Sequence, residues 1–175
     1  METGVWLVGA RGNVGTTAIT GARAIARGEV DTAGMVSEVE PVASLDLPRV
    51  DDLVFGGHDI RTQSIEETAE NACQAGGVPD SDTLDAVRED LREIDERVTI
   101  GTARRCGTAV TDLSDGETLD GDSLGAVVAQ IREDYAAFVD RHDLDRLVVV
   151  NVASTEPPID DPERYASLEA FETAI

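Results

Sequence analysis

Three glycines near the start of the chain have a spacing that suits a nucleotide phosphate site. In "VWLVGARGNVGTT" an apolar run ends at Gly9, and Gly12 and Gly15 follow at intervals of three residues. A side chain would block each role open to them: the tight turn after a strand, the close approach of backbone to a pyrophosphate, and helix-to-strand packing. The helix that follows supplies free N–H groups and the positive end of its dipole. The segment predicts a dinucleotide or nucleotide site, with a purely structural tight turn as the alternative.

Arg11 is the departure from the usual glycine pattern, because it occupies the position where a second glycine is expected. Its guanidinium can reach ligand phosphates, or it can pair with a carboxylate in this acidic chain. The loop also lacks the Gly-Lys-Ser/Thr sequence, which excludes the phosphate loop of kinases and ATPases.

A dinucleotide site of this type needs an acidic residue that holds the adenosine ribose. Glu38 and Glu40 lie near the expected distance along the chain, and Asp59, at the end of "FGGHDI", is an equally good candidate. The sequence leaves the three alternatives open.

The charge balance excludes several classes of partner. The chain has 14 basic and 36 acidic residues and a formal net charge of -22, which argues against nucleic acid and anionic membrane surfaces. All the basic residues are arginine. High acidity without lysine favours a halophilic protein, in which salt screens the self-repulsion. A mesophilic acidic protein is the alternative, although it would usually keep some lysine.

Neither cysteine chemistry nor a targeting segment is indicated. Cys73 and Cys106 form no CxxC pair and have no histidine at ligand spacing, so we expect no metal site, and both are interpreted as small buried residues. The N-terminus lacks a basic region followed by a long apolar stretch, and no window approaches 18 apolar residues. A cytoplasmic protein without a membrane span is expected.

The hydrophobic pattern predicts alternating strands and helices. A strand at 5–8 leads into a helix from Val14 to a C-cap at Gly28, and further strands are predicted at 33–36 and from residue 53. Ser64 and Glu67 have capping-box spacing for a helix to about residue 75. An acidic amphipathic helix follows, with Leu84, Val87, Leu91, Ile94 and Val98 as its apolar positions.

A long helix comes next, with its apolar stripe on Leu124, Val127, Val128, Ile131, Tyr135 and Phe138. It precedes the strand predicted to be the most buried, at 147–150. The pattern indicates one α/β domain over 1–175, a Rossmann-like doubly wound parallel sheet with ligands at the C-terminal ends of its strands.

Three motifs in one order carry a family resemblance: "GARGNVGTT", "FGGHDI" and "VNVASTEPP". Together they resemble the inositol 3-phosphate synthase family, also called myo-inositol 1-phosphate synthase, particularly its prokaryotic branch. The family's first turn reads Gly-x-Gly-Gly-Asn-x-Gly, so Arg11 replaces a glycine. His58 stands where tryptophan is common in the second motif, and "ASTE" matches the third directly.

The resemblance implies the N-terminal NAD-binding part of an isomerase of inositol and phospholipid biosynthesis. Such an enzyme converts glucose 6-phosphate to inositol phosphate by internal oxidation, aldol cyclisation and re-reduction with retained NAD. Family members are considerably longer and homo-oligomeric. The lysine-based catalysis of the family has no counterpart here, so no catalytic residue is assigned. Because "RYASLEAFETAI" ends within a helical pattern, we expect a truncated chain that is inactive alone.

The resemblance also implies the positions of the cofactor contacts. Gly12, Asn13 and Val14 would line the pyrophosphate, within a loop that also includes Gly9, Arg11 and Gly15. Asp59 would bind the adenosine side, and the nicotinamide end would face Val152, Ala153 and Thr155.

Four further polar residues have structural roles open to them. Asn151 and Glu156 have equal claims as ligands and as caps of the adjoining loop or helix. His58 is interpreted as a structural residue that hydrogen-bonds in a turn, and His142 as a cap at the C-terminus of the long helix.

Two other functions compete with the synthase. A short-chain NAD(P)-dependent oxidoreductase would need a Tyr-x-x-x-Lys pair, which the sequence lacks. A non-catalytic nucleotide-binding module would need only the Rossmann-like unit.

Overall fold

The computed structural model describes residues 2–153 and 167–170, and a parallel sheet forms the centre of this part of the chain. Its strands are β1 (Thr3–Val8), β2 (Leu53–Asp59), β3 (Val98–Ile100) and β4 (Arg146–Asn151). They lie in the order β3-β2-β1-β4, and Val8 of β1 is in register with His58 of β2 and Asn151 of β4. This order corresponds to the first four strands of the 3-2-1-4-5-6 sheet of dinucleotide-binding folds.

Helices cover both faces of the sheet. They are α1 (Asn13–Arg27), α2 (Ile65–Gly76), α3 (Ser81–Asp95), the short α4 (Thr108–Thr111) and α5 (Leu124–His142). Alternate residues of β1 point to opposite faces. Leu7 joins the core formed with α1, α2 and α3, whereas Trp6 packs against Phe138 of α5. The predicted doubly wound α/β architecture is confirmed.

Several local predictions are confirmed because short-range chemistry decides them. α1 ends at Gly28, which adopts a left-handed φ of 75° as the C-cap. Ser64 and Glu67 form the reciprocal capping box at the start of α2. The predicted apolar stripe of α3 is buried from Leu84 to Ile94, but Val98 belongs to β3 rather than to this helix.

The strand predicted at 33–36 is wrong. Ala33 N–H donates to Asp31 Oδ1, and Gly34 has a φ of 87°, which turns the chain instead of extending it. Three short 3-10 turns then connect α1 to β2: Val36–Glu38, Val42–Ser44 and Val50–Asp52. Most of this connection is exposed. Its few apolar residues do not pair with a strand of the sheet.

The strand predicted at 147–150 is present, but the prediction that it is buried is wrong. In the part of the chain that is described, β4 pairs with β1 alone and forms an edge of the sheet. Val148 and Val149 are each 45 % exposed. Val128 of the predicted stripe on α5 is exposed as well, and Cys73 and Cys106 are half-buried rather than buried.

No helix among the described residues is both long and apolar enough to span a bilayer.

Candidate functional site

The glycine loop connects β1 to α1 at the C-terminal edge of the sheet. Gly9 has a φ of 90°, a conformation that side chains disfavour. A Cβ at Gly15 would lie 2.7 Å from the carbonyl oxygens of both Gly9 and Ala10, so only glycine lets α1 pack this closely on the end of β1. The structure thus assigns the turn to Gly9 and the helix-to-strand packing to Gly15.

The N-terminus of α1 is open to a ligand. Its N-cap, Gly12, provides no side-chain cap, and its first turn contains no acidic residue. The N–H of Thr16 donates to the carbonyl of Gly12 at 2.8 Å, while the preceding N–H groups of a helix have no intrahelical partner. The side chains of Asn13 and Val14 are exposed. This end of α1 can receive an anion, because its N–H groups and dipole both favour negative charge.

The end of β4 meets the same loop. Val152 N–H donates to the carbonyl of Val8 at 2.9 Å, and a Cβ at Gly9 would lie 2.9 Å from Cα of Ala153. The side chain of Asn151 accepts a hydrogen bond from Ala153 N–H at 3.0 Å, so it caps its own loop. The structure therefore brings Val152 and Ala153 against the glycine loop.

Thr155 and Glu156, the remaining predicted contacts from this motif, lie outside the described residues.

Asp59 is the one of the three candidate acids that reaches the glycine loop. Its Oδ2 accepts from Arg11 N–H at 2.7 Å, and its Oδ1 accepts from Ile60 N–H at 2.8 Å and Arg61 N–H at 3.0 Å. Asp59 is buried, with 7 % of its surface exposed. Glu38 and Glu40 lie in the connection that leads to the start of β2, at the opposite edge of the sheet.

Arg11 pairs with a carboxylate, which is the second of the two roles open to it from the sequence. Its Nε and Nη2 donate to the two oxygens of Asp95, each at 2.9 Å, in a bidentate pair. Its Nη1 donates to the carbonyl of Arg61 at 2.9 Å. The guanidinium is therefore turned toward the end of α3.

His58 is structural, as interpreted from the sequence, but it lies within β2 rather than in a turn. Its ring is buried, accepts from Trp6 Nε1–H at 2.9 Å and lies 2.9 Å from Asp134 Oδ2. His142 occupies the last turn of α5, where its ring packs edge-on against Phe138. Its Nε2 is buried without a hydrogen-bond partner among the described residues, so the ring does not cap the helix through that atom.

A family-level comparison matches residues 29–175 to the NAD-binding domain of myo-inositol-1-phosphate synthase. The matched range includes β2, β4 and everything between them, and it begins directly after the C-cap of α1. The chain belongs to this family. NAD is accordingly the cofactor of the domain. The glycine loop lies outside the matched range.

A solved member of the synthase family has the same fold. The inositol-3-phosphate synthase of Caenorhabditis elegans aligns with a TM-score of 0.75 over 99 % of this chain, at 18 % sequence identity. This chain spans 38 % of the length of that protein. A comparison with curated protein sequences gives no match.

The sequence did not identify the residues that hydrogen-bond to Arg11 and so hold the glycine loop of this synthase domain in place. Asp95, Arg61 and Thr68 all contact Arg11. Asp95 lies on the charged side of α3, which the sequence pattern indicates as solvated, and it is 84 residues from its partner. Of the three, only Arg61 lies close in sequence to a predicted site residue, two positions after Asp59.

Proposed function

We propose that this chain is the NAD-binding part of an inositol-3-phosphate synthase and that the dinucleotide lies across the C-terminal ends of β1 and β4. The observation that carries the proposal is the approach of Gly9 to Ala153, beside the uncapped N-terminus of α1. In doubly wound sheets, dinucleotides bind where the strand order reverses. Here that point lies between β1 and β4, whose adjoining loops make this contact.

The residues present fit such a ligand. A Cβ at Gly12 would lie 3.1 Å from the carbonyl oxygen of Gly9 and 3.4 Å from Nη2 of Arg61. A side chain at position 12 would therefore be crowded by the protein itself. A bare backbone at this position lets a pyrophosphate approach the N–H groups at the start of α1.

Each predicted contact has a defined part in the proposal. The backbone of Gly12, Asn13 and Val14 binds the pyrophosphate. Asp59 accepts from a ribose hydroxyl, since its carboxylate has acceptor capacity beyond the three backbone donors it already binds. Val152 and Ala153 bound the nicotinamide side, together with Thr155. Bound NAD supplies a hydride acceptor that can later return the hydride, and these residues hold and orient it.

The proposal extends to the enzyme of which such a domain is part. Residues 1–175 act as one NAD-binding domain, and glucose 6-phosphate is the substrate of a cytoplasmic, homo-oligomeric isomerase. Because the chain spans 38 % of its solved relative, we expect it to bind NAD without forming inositol phosphate on its own.

Amide hydrogen exchange with and without NAD tests the proposed site. We expect NAD to slow exchange at residues 13–15, which carry the first N–H groups of α1, and at Val152 and Ala153. Residues 83–94 of α3 serve as the internal control, because they lie in the helix interior and exchange there should not change. Protection confined to another surface would contradict the proposal.

A further inference from the structure

Arg11 occupies a position where glycine is typical of the synthase family. Its contacts indicate how the loop accommodates this side chain. We infer that Arg11 is a positioning residue: paired with Asp95, it holds the glycine loop in its binding conformation without contacting the dinucleotide. The inference rests on the proposed function for its ligand, whereas the conformation of the loop can be tested without any ligand.

All three nitrogens of the Arg11 guanidinium donate hydrogen bonds within the protein. Both carboxylate oxygens of Asp95 accept from it at 2.9 Å, and the carbonyl of Arg61 accepts from its remaining terminal nitrogen at 2.9 Å. Only 18 % of the Arg11 side chain and 21 % of the Asp95 side chain are exposed. A guanidinium that binds a carboxylate with its fork cannot bind a phosphate with the same fork.

The backbone of Arg11 is fixed as well. Its N–H donates to Asp59 at 2.7 Å, and its carbonyl accepts from Arg61 Nη2 at 2.6 Å and from Thr68 Oγ at 3.1 Å. The middle of the loop is thus attached to the end of β2 and to α2. The side-chain pair with Asp95 adds α3 to these attachments.

Asp95 connects the loop to a second helix. Its Oδ1 also accepts from the N–H of Ile65, the first residue of α2, at 3.0 Å. The loop, the start of α2 and the end of α3 therefore share one carboxylate. Loss of its charge would loosen the loop, and binding would then have to order the loop again, which lowers affinity.

One substitution, Asp95→Asn, separates positioning from direct contact, because the two roles of Arg11 predict different changes in NAD affinity. In Asp95→Asn the amide oxygen can still accept from Ile65, but the charged fork is lost. If Arg11 is a positioning residue, this variant weakens NAD binding about tenfold, or about 1.4 kcal/mol. If Arg11 is instead a phosphate ligand, releasing it from Asp95 leaves NAD binding unchanged or tighter, which would overturn the inference.

The double variant Arg11→Met/Asp95→Asn gives a second criterion, with the NAD affinity of each variant measured by calorimetric titration. Arg11→Met should weaken binding as much as Asp95→Asn, and the two losses should not add, because both remove one pair. Arg92→Met is the matched control, since Arg92 pairs with Glu66 on the surface of α3. It should leave affinity unchanged. Additive losses would contradict the inference.

Amide exchange in the chain without ligand provides the readout that does not depend on NAD. Exchange at Arg11 and Gly12 should speed up in Arg11→Met and Asp95→Asn and stay unchanged in Arg92→Met. If the wild-type chain fails to bind NAD, the proposed function fails, and the exchange rates still decide the inference. If Asp95→Asn does not fold, Arg11→Met, which removes the same pair from the other side, decides the inference by itself. Unchanged exchange would overturn the inference.

Discussion

Trp6 and His58 are joined across β1 and β2 by a hydrogen bond of 2.9 Å from the indole Nε1–H to the imidazole Nδ1. Indole nitrogen can only donate, so Nδ1 must be the acceptor and the ring proton must be on Nε2. That proton is donated to Asp134 of α5, 2.9 Å away. One neutral histidine tautomer thus connects two strands and a helix on the face opposite α1.

Replacing His58 tests this connection. His58→Leu removes both ring nitrogens and leaves the buried Trp6 N–H without its acceptor, so we expect a loss of about 1–3 kcal/mol in the free energy of unfolding. Chemical denaturation measures it. Tyr135→Phe is the control, because Tyr135 also packs against Trp6 but gives it no hydrogen bond in the described structure. Equal stability of the His58→Leu variant and the wild type would contradict the assignment.

His142 should make stability depend on pH. Burial lowers the pKa of His142 from its ordinary value of 6.5, and the charges of Arg97 and Arg141 lower it further. The unfolded chain therefore binds a proton more readily, and stability should fall as pH drops from about 7 to about 5. The pKa of Glu66 is lowered from 4.5 by its hydrogen bond from Arg92, so its contribution is lost only at lower pH.

The His142→Gln variant isolates this contribution, because glutamine does not titrate. The slope of unfolding free energy against pH should be smaller in the variant than in the wild type over that range. Identical slopes would show that His142 contributes nothing to them.

Two glycines of α1 should respond oppositely to alanine. Gly15→Ala places a methyl group 2.7 Å from two backbone oxygens, which must shift, so we expect a loss of about 1–3 kcal/mol in stability. Gly21→Ala meets no atom within 4 Å and should stabilise the helix by about 0.5–1 kcal/mol. Thermal unfolding of both variants checks this, and a stable Gly15→Ala variant would refute the packing role of Gly15.

Salt should stabilise the chain strongly. The net charge of -22 produces self-repulsion that is screened within about 3 Å at 1 M salt. Salt also weakens exposed ion pairs such as Arg92 with Glu66, but exposed pairs contribute little to stability. The melting temperature should therefore rise with potassium chloride. A temperature that stays constant or falls would contradict the halophilic interpretation.

Sequence reasoning reached the features that short-range chemistry decides. The capping box of Ser64 and Glu67 and the C-cap at Gly28 need only neighbouring residues. The exposure of β4 could not be predicted from the sequence, because an apolar run predicts a strand but not which elements pack against it. The pairing of Arg11 with Asp95 could not be predicted either, since only the packing of α3 beside the loop brings these residues together.

NAD titration of the folded chain and of its Gly12→Val variant, in molar potassium chloride, tests whether the glycine loop binds the dinucleotide. The N-cap backbone of Gly12, with φ -70° and ψ 161°, is one that valine can adopt. Its Cβ would lie 3.1 Å from the carbonyl oxygen of Gly9, so chemical denaturation first establishes that the variant is folded. In the folded variant the side chain should obstruct the pyrophosphate. We expect saturable binding by the wild type and by Gly21→Ala, and a large loss of affinity in Gly12→Val. Equal binding by all three proteins, or no binding by the folded wild type, would contradict this expectation.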